Sequence, residues 1–378
     1  AQKNYEQELA YNASYDLLTG LPNRSLLKER LTQSCKISAR HQEKVAVLFI
    51  DLDGFKLIND SKGHTVGDEV LRQISCRLQA ELRAGDTLAR LGGDEFVLMV
   101  PDLRETEALN TLAQHLLTVI AQPILVEEQE LQITASIGIS LTDNNFDEPM
   151  QLVKQADLAM YQAKLQGRNN YQWYQAEMET SLNKRLNLRA MLKKAVANQE
   201  FVLYYQPQVE AGSGRLIGLE ALLRWPHPEL GMIGPDEFIP VAEETGLIVE
   251  IGQWVIEQAA AFNASLQQRG IAHLVMAVNL SSLQFQRPGF VEQLQQTLQQ
   301  QQLAPRWFEL ELTESLLLQN IEQVVTKLQQ LKKLAVSIAI DDFGTGYSSL
   351  SYLKRLPINK LKIDRSFIRE LVTDQRDA

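Results

Sequence analysis

Two acidic pairs in the first half of the sequence are spaced so that they could hold a metal ion. Asp51 and Asp53 follow the apolar run at residues 45–50, and Asp94 and Glu95 follow two glycines between two further apolar runs. At 4 Å and an effective dielectric constant near 20, two carboxylates repel each other by about 4 kcal/mol. A cluster of them therefore needs protonation or a cation, and Mg²⁺ with phosphate oxygens is the natural partner. The alternative for each acid taken singly is a surface turn residue.

A second set of polar side chains lies in the second half, each at or near the carboxyl end of a predicted strand: Glu220, Asn279, Glu311, Asp341 and Lys362. This is the face on which barrel enzymes build their sites. Four oxygen ligands around one opening suit Mg²⁺ or Mn²⁺, and Asp342 could bind a second ion. Two such ions form a clamp for phosphodiester cleavage. For any one of these residues alone, an acid satisfied by structural contacts is the alternative.

The elements that must position the first set indicate an α+β sheet domain over residues 16–174. Apolar runs predict strands at 45–50 and 131–140. Residues 87–91 and 96–100 flank the two glycines, which predicts a β-hairpin whose tip needs glycine torsions. An apolar face predicts a helix from residue 150 to about 167. Residues 1–15 are expected to form a connecting helix, and residues 175–198 a helical linker.

The second set requires a different architecture, since strand-like and helical stretches alternate after residue 198. The predicted strands are residues 202–206, 216–223, 274–280, 307–312, 336–340 and 360–363. Such alternation predicts an α/β domain, a TIM-like (β/α) barrel over residues 199–378. A complete barrel typically needs about 250 residues, which residues 201–378 cannot supply. We therefore expect the barrel to be C-terminally incomplete in this chain, without its last βα units.

Composition excludes several classes of protein and partner. Lys plus Arg number 37 against 47 for Asp plus Glu, a net charge of −10, so there is no diffuse basic field for a nucleic-acid polymer. Cys35 and Cys76 are too few for a disulfide framework and lack zinc-ligand spacing. No apolar run approaches the 18 residues of a membrane span. We expect a cytoplasmic chain, and an anchor in the inner membrane or an upstream sensor domain could only lie outside it.

The hairpin segment Gly92-Gly93-Asp94-Glu95-Phe96 resembles the GGDEF motif of diguanylate cyclases, and the resemblance extends over residues 14–174. It implies a nucleotide-cyclase-like fold and the condensation of two GTP molecules into cyclic di-GMP. By this resemblance, Mg²⁺ on GTP is held by Asp51, the carbonyl of Leu52 and Asp94. Glu95 supports a second metal or the attacking hydroxyl, so that Asp94 and Glu95 are the implied catalytic residues. Because two domains must face each other, a homodimer is expected.

The same resemblance assigns a set of residues that bind GTP. They are Gly54, Phe55, Asn59, Asp68, Gly92, Gly93, Lys164 and Arg168. Asn59 and Asp68 are expected to contact guanine, and the glycines allow the nucleotide a close approach. Lys164 and Arg168, four residues apart and expected on one helical face, would grip the terminal phosphates. Taken alone, such a pair more often belongs to a solvated helix face.

An arginine and an aspartate three residues apart, Arg83 and Asp86, precede the hairpin. In the resembling family this position is the product-inhibition site. There, arginine can contact guanine or phosphate, and aspartate can accept hydrogen bonds from guanine N–H groups. The alternative is a structural ion pair between residues i and i+3.

The segment Glu220-Ala221-Leu222-Leu223-Arg224-Trp225 resembles the EAL motif of cyclic di-GMP phosphodiesterases. The resemblance runs from about residue 182 to the end, with matching segments at 279–281, 311–315, 341–346 and 362–364. It implies hydrolysis to linear pGpG, with Glu220 and Lys362 as catalytic residues. The implied ligands of one metal ion are Glu220, Asn279, Glu311 and Asp341. Asp342 would bind a second ion, and Lys362 would position or deprotonate the attacking water.

Further roles follow from this second resemblance. Gln206 and Arg224 are expected to contact cyclic di-GMP, and Glu314 to steady the loop at residues 342–347. The family also uses a glutamate ligand and a glutamine from strands beyond Lys362, so we expect hydrolysis to require them. Together the motifs predict a bifunctional cyclase and phosphodiesterase. The alternatives are a non-enzymatic receptor of cyclic di-GMP or GTP that signals through partner contacts, and a tandem in which one domain regulates the other.

Overall fold

The computed structural model describes residues 11–41, 43–103, 105–126, 129–142, 148–271, 273–317, 321–344 and 356–364. The chain divides into two compact units, Ala1–Asn183 and Lys184–Ala378. Each unit contains its own main sheet and its own apolar core.

In the first unit, strands and helices follow one another closely. The strands are β1 (Lys44–Asp53), β2 (Thr87–Gly92), β3 (Glu95–Leu103), β4 (Ile124–Val126), β5 (Gln129–Leu131), β6 (Thr134–Leu141) and β7 (Tyr171–Trp173). The helices are α1 (Arg24–His41), α2 (Phe55–Lys62), α3 (His64–Ala80), α4 (Glu107–Ile120) and α5 (Pro149–Leu165). Helix α6 (Glu177–Asn198) spans the boundary between the units.

Five strands form the main sheet of the first unit, in the order β2-β3-β1-β6-β7. The central strand β1 is buried from Val45 to Leu52, because helices cover both faces of the sheet. On one face Leu48 and Ile50 pack with residues of α3 and α4, and on the other Val47 and Phe49 pack with residues of α1 and α5. The continuous apolar run therefore predicted a strand buried on both sides, and this prediction is confirmed.

Helix α5 approaches the sheet closely at Gly138 of β6. A Cβ atom at this position would overlap the carbonyl oxygen of Ala156 and the backbone nitrogen of Met160. Ala156, Ala159 and Ala163, which share the predicted apolar face, are buried against the sheet. This packing fixes the helix whose last turn carries Lys164.

Some predicted boundaries shift. Helix α5 ends at Leu165 rather than near residue 167, because residues 167–169 adopt positive φ angles. Helix α6 covers Glu177–Asn198, within the segment that was expected to form a helical linker. Of the predicted connecting helix, residues 11–14 are helical, and residues 1–10 lie outside the described part of the chain.

In the second unit, a hairpin precedes the repeated strands and helices. The strands are β8 (Val202–Val209), β9 (Leu216–His227), β10 (Gly231–Ile233), β11 (Val275–Asn279), β12 (Phe308–Thr313), β13 (Ser337–Phe343) and β14 (Lys360–Ile363). The helices after α6 are α7 (Pro235–Thr245), α8 (Ile248–Gln268), α9 (Ser282–Gln286), α10 (Phe290–Gln300), α11 (Glu314–Leu317) and α12 (Ile321–Lys333). A 3₁₀ turn at Pro305–Trp307 leads into β12.

The sheet of the second unit runs in the order β10-β9-β11-β12-β13-β14, and β8 pairs with β9. Strands β9, β11, β12, β13 and β14 are mutually parallel in this order, as the alternation of strands and helices predicted. Strand β8 is antiparallel to β9, because a tight turn joins them: the Gly214 N–H donates to the Glu210 carbonyl at 2.8 Å. Five successive parallel strands bring their carboxyl ends to one edge.

Large apolar side chains fill the core beneath this edge, including Trp225, Phe238, Phe285 and Phe308, all fully buried. The final strand of the prediction, 360–363, coincides with β14. Among the helices of the described residues, none has the length and apolar character needed to cross a membrane.

Candidate active sites

The β-hairpin of the first unit brings Asp94 and Glu95 to the end of β1. Strand β3 pairs with β1 so that Glu95 lies opposite Asp51, and the Leu52 N–H approaches the Asp94 carbonyl at 3.4 Å. The tip is made by Gly92 and Gly93, whose φ angles are 149° and 51°, which is a region that favours glycine. The predicted juxtaposition of the strand end and the hairpin tip is confirmed. We call Asp51, Asp94, Glu95 and Lys164 the hairpin site.

One lysine compensates the acids of the hairpin site. The Lys164 ammonium lies 2.7 Å from the Asp51 carboxylate, whose residue is only 7% exposed. Burial nevertheless raises the pKa of Asp51 to about 6, with further contributions from the charges of Asp94 and Glu95, although Lys164 opposes the rise. Burial also raises the pKa of Glu95, and the carboxylates of Asp157 and Asp94 add to this effect. The hairpin site therefore favours an additional cation.

Arg90 supports the hairpin tip, and its role was not predicted. Its guanidinium donates two hydrogen bonds to the Gly93 carbonyl, at 2.7 and 3.0 Å, and reaches the Asp16 carboxylate at 2.9 Å. Asp16 also accepts from the Thr19 hydroxyl and N–H. Although burial alone would raise it, the pKa of Asp16 is lowered by these hydrogen bonds. The turn that precedes α1 therefore braces the motif through one arginine.

Asp53, which we grouped with the acidic cluster, has a different task. Its carboxylate accepts hydrogen bonds from the hydroxyls of Thr134 and Ser136, at 2.8 and 2.7 Å, and from the Asn169 N–H at 3.1 Å. These contacts satisfy the charge without a metal ion. Asp53 therefore anchors the turn after α5 to the central strand.

The prediction that Lys164 and Arg168 share one helical face is wrong, because Arg168 lies in this turn and not on the helix. Gly167, Arg168 and Asn169 have φ angles of 103°, 60° and 49°, and the Arg168 N–H donates to the Ala163 carbonyl at 3.2 Å. This is a glycine-type helix C-cap. Arg168 therefore stands on a left-handed turn beyond α5, and Asp53 holds its neighbour in place.

The residues expected to contact guanine, Asn59 and Asp68, lie on α2 and α3. Gly54 adopts a left-handed conformation, with φ of 75°, between β1 and α2, and Phe55 is buried beneath the turn. A Cβ atom at Gly67 would overlap the side-chain oxygen of Asn59. Gly67 therefore lets Asn59 lie against the segment that carries Asp68. Their roles in binding GTP stay predictions.

Arg83 and Asp86 form a local turn. The Arg83 N–H donates to the Asp86 carboxylate at 3.0 Å, and the Asp86 N–H donates to the Arg83 carbonyl at 3.0 Å. These reciprocal bonds use the backbone of Arg83 rather than its guanidinium. The product-inhibition role stays a prediction.

An open cleft is lined in part by Glu95. It is bounded by α1, the sheet and α5, and its charged lining residues are Arg24, Glu95, Lys154 and Asp157. Burial raises the pKa of Asp157. Asp157 was missed because an acid within an amphipathic helix normally indicates a solvated face.

The second unit gathers three carboxylates at the carboxyl ends of parallel strands. Glu220 of β9, Glu311 of β12 and Asp341 of β13 offer oxygen atoms that all lie within 4.8 Å of one another. We call these three residues the carboxylate cluster. The Asn279 amide of β11 donates to Glu220 at 2.9 Å. The structure thus brings together four of the five predicted metal ligands of this unit.

Lys362 projects from β14 into the carboxylate cluster. Its ammonium lies 2.6 Å from Glu311, 2.8 Å from Asp341 and 3.3 Å from Glu220. Burial alone would lower its pKa, but hydrogen bonds to Asp341 and Glu311 raise it above its ordinary value. In this arrangement Lys362 is an ammonium, which can donate a proton but cannot accept one.

Glu311 is the most buried member of the carboxylate cluster, with only 1% of the residue exposed. Burial raises its pKa to about 7, and the charges of Glu220 and Asp341 add to the rise, while Lys362 opposes it. Within the described part of the chain, its Oε1 atom has no hydrogen-bond partner. A buried carboxylate oxygen without a donor fits a metal ligand.

The fifth predicted ligand, Asp342, follows Asp341 and adopts a left-handed conformation with φ of 52°. Its N–H donates to the Asp341 carboxylate at 2.9 Å. Burial raises the pKa of Asp342, and the charges of Asp341 and Asp364 add to this effect. The turn at the end of β13 therefore places two adjacent carboxylates at the edge of the cluster.

Glu314 reaches the start of the loop that it was expected to steady. Its carboxylate accepts from the Gly344 N–H at 2.9 Å, and the residue is only 3% exposed. Residues 345–347 of that loop lie outside the described part of the chain. The contact at Gly344 supports the expected role, which stays a prediction.

The two residues expected to contact cyclic di-GMP flank Glu220 on the β8–β9 hairpin. Gln206 lies directly opposite Glu220 in the register of the two strands. The Arg224 guanidinium lies over the ring of Tyr204, 5.7 Å from its centre, at a distance typical of a cation–π contact. Tyr204 was not predicted as part of this surface.

Family models divide the chain in the same way. The diguanylate cyclase GGDEF domain matches residues 13–170, and the EAL domain matches residues 189–378. The chain therefore belongs to the family of proteins in which a GGDEF domain is followed by an EAL domain.

Two curated proteins are similar to almost the whole of this chain. The chain is 46% identical over 372 residues to the bifunctional diguanylate cyclase/cyclic di-GMP phosphodiesterase MucR of Pseudomonas aeruginosa, covering 98% of this chain and 54% of that protein. It is 40% identical over 365 residues to the cyclic di-GMP phosphodiesterase NbdA of the same organism, covering 97% and 46%. The chain spans about half the length of these curated relatives.

A solved structure supports the order of the two folds. The S helix-GGDEF-EAL structure of LapD from Vibrio cholerae, bound to cyclic di-GMP, has a TM-score of 0.58 and 20% identity. The match covers 100% of this chain and 88% of that one. The predicted fold class, an α+β GGDEF domain followed by a TIM-like EAL domain, is confirmed.

Proposed function

We propose that the second unit hydrolyses cyclic di-GMP to linear pGpG with the help of divalent ions. The observation that carries this proposal is the carboxylate cluster, where a buried oxygen of Glu311 lacks a hydrogen-bond donor among the described residues. Glu220, Asn279, Glu311 and Asp341 would hold one Mg²⁺ or Mn²⁺ ion, and Asp342 a second. When bound, such ions polarise the phosphodiester and lower the pKa of water.

The chain's own residues supply the remaining functions of this site. Asn279 orients Glu220 through the 2.9 Å hydrogen bond. The Lys362 ammonium donates towards the cluster and would orient the attacking water, whose oxygen bonds to phosphorus as the bond to the 3′-oxygen breaks. The attacking water loses one proton to solvent and the departing 3′-oxygen takes one up, which leaves pGpG. Gln206 and Arg224 would hold the ligand beside Glu220.

The proposal for the first unit is that it binds GTP and condenses two GTP molecules into cyclic di-GMP. Asp51, the Leu52 carbonyl and Asp94 would hold Mg²⁺ on the triphosphate, with Glu95 beside the attacking hydroxyl. Each 3′-oxygen forms a bond to the α-phosphorus of the other nucleotide, and pyrophosphate leaves. Lys164 and Arg168 would neutralise the terminal phosphates. Because each hairpin site holds one nucleotide, the reaction needs a homodimer.

One experiment tests both proposals on the intact protein. Products are followed by chromatography, separately from GTP and from cyclic di-GMP, in the presence of Mg²⁺ or Mn²⁺. We expect pGpG from cyclic di-GMP and cyclic di-GMP from GTP. If no pGpG forms from cyclic di-GMP with either ion, the hydrolytic proposal is wrong, and if GTP is bound but not converted, the first unit is a GTP-binding domain only.

A further inference from the structure

A second polar layer lies beneath the carboxylate cluster, on the same faces of the same strands. Glu309 precedes Glu311 by two residues on β12, and Lys360 precedes Lys362 by two residues on β14. Because side chains alternate along a strand, each pair points to one side of the sheet. The Lys360 ammonium lies 2.6 Å from Glu309, which repeats the 2.6 Å contact between Lys362 and Glu311.

In this second polar layer, both carboxylate oxygens of Glu309 have polar partners. Glu309 is only 2% exposed. One of its oxygens accepts from Lys360, and the other accepts from the Ser337 hydroxyl of β13 at 2.9 Å. Lys360 also reaches the Gln208 side chain of β8 at 3.4 Å. The Glu309 carboxylate therefore links β12 to β13 and β14, and Lys360 extends this network to β8.

Strand β14 is short and pairs irregularly with its neighbour. It has only four residues, and its pairing with β13 shifts between Ile340 and Phe343. A slip by one residue would turn Lys362 to the opposite face of the sheet.

We propose that Glu309 and Lys360 are positioning residues, whose ion pair fixes the register of β14 and thereby turns the Lys362 ammonium into the carboxylate cluster. Their effect on hydrolysis rests on the proposed function of the second unit. Their effect on the position of Lys362 does not, and can be measured separately.

The test compares Glu309→Gln, Lys360→Gln and the reversed pair Glu309→Lys/Lys360→Glu in the intact protein. The control is Glu210→Gln, which removes an acid from an exposed pair with Arg215 at 3.8 Å. The first measurement is the rate at which an acylating reagent labels the Lys362 amine, followed by mass spectrometry without substrate. The second is kcat and KM for pGpG formation, and the third is the thermal unfolding temperature.

Each single variant should label Lys362 about fivefold faster and lower kcat about tenfold, with KM changed less than twofold, since small misplacements of an active-site group cost rate. The reversed pair should recover at least half of the protection of Lys362, and the control should behave like wild type.

Single variants that only lower the unfolding temperature, with wild-type labelling and kcat, would make the pair merely structural and overturn the proposal. A reversed pair that folds but labels like the single variants would also overturn it, and if that pair does not fold, the glutamine variants decide. If wild type forms no pGpG, the proposed function fails, and the labelling still decides the position of Lys362.

Discussion

At the hairpin site Lys164 pairs with one carboxylate at 2.7 Å, whereas at the carboxylate cluster Lys362 lies within 3.3 Å of three. The acids of the cluster come from separate parallel strands whose carboxyl ends meet at one edge. Those of the hairpin site come from one strand end and one turn. Both sites therefore combine one lysine with several acids, but the strands and turns that supply these acids are arranged differently.

This difference predicts what each site needs in order to act. Parallel strand ends surround a ligand within one chain, as in barrel enzymes. A hairpin tip presents its acids outward, so that a second copy must supply the other nucleotide, at the usual entropic cost of association. We expect hydrolysis to be the dominant activity of the intact protein for this reason.

The largest expected effect is at the cluster. Asp341→Ala should lower pGpG formation at least about a thousandfold, because it removes a ligand and an ion-pair partner of Lys362 together. GTP binding should be unchanged, since the first unit is untouched. The control is Glu229→Ala, an exposed acid of the same unit. Rates of pGpG formation within tenfold of wild type would contradict the assignment.

At the hairpin site, Asp94→Ala should lower synthesis of cyclic di-GMP about a hundredfold or more without changing the unfolding temperature. The side chain stands on a hairpin tip rather than in the core, so its loss removes metal chemistry and leaves packing intact. Cyclic di-GMP formed from GTP is measured by chromatography, with Glu107→Ala as the matched surface control. Synthesis at the wild-type rate would remove Asp94 from the proposed mechanism.

The buried Glu311 makes the stability of the second unit depend on pH. Because its pKa is raised to about 7 in the folded protein, the folded state binds this proton more tightly than the unfolded state. The protonated Glu311 therefore stabilises the folded state fully below the ordinary pKa near 4.5, and this stabilisation is lost as the pH rises through 7. Glu311→Gln should remove this loss, which is on the order of 3 kcal/mol.

The measurement is denaturant unfolding of the second unit at pH 5 and pH 8, with a chelator present, in wild type and Glu311→Gln. We expect the variant to gain stability relative to wild type at pH 8 and not at pH 5. An equal difference between the two proteins at both pH values would show that the carboxylate does not titrate in this range.

A smaller effect is expected from Asp53→Asn. The amide keeps the size of the side chain but loses the charge that accepts the Asn169 N–H and two hydroxyls. The left-handed turn that carries Arg168 should loosen, which should weaken GTP binding about fivefold. Calorimetry with GTP measures this, with the exposed Asp60→Asn on α2 as control. Equal affinities for GTP in both variants would show that the turn does not depend on the Asp53 carboxylate.

The sequence predicted elements whose signals are local. Strand β14 was placed at its observed residues, and the five-residue glycine motif predicted the hairpin and the acids on it. Arg90 escaped prediction because its partner, Asp16, lies 74 residues away along the chain. Glu309 escaped because an acid inside an apolar strand has no recognisable spacing of its own, and its partner Lys360 belongs to another strand.

The misplacement of Arg168 has a similar cause. A period of four residues favours one helical face, but Gly167 and the two residues after it adopt positive φ angles. Asn tolerates that conformation more readily than Arg does. Only the hydrogen bond from Asn169 to Asp53 reveals why the chain turns there, and that bond joins residues 116 positions apart.

The smallest effect concerns communication between the two sites. Helix α6 begins shortly after the turn that carries Arg168 and leads to β8, which pairs with the strand of Glu220. If GTP orders that turn, it can favour one state of the second unit, provided that the two states differ in affinity for GTP. We expect GTP to change the rate of pGpG formation about twofold in wild type and not in Asp51→Ala, which lacks the carboxylate that contacts Lys164. The rates are measured with and without GTP in both proteins. Equal rates in all four conditions would remove the coupling, and net accumulation of cyclic di-GMP from GTP would contradict the expected dominance of hydrolysis.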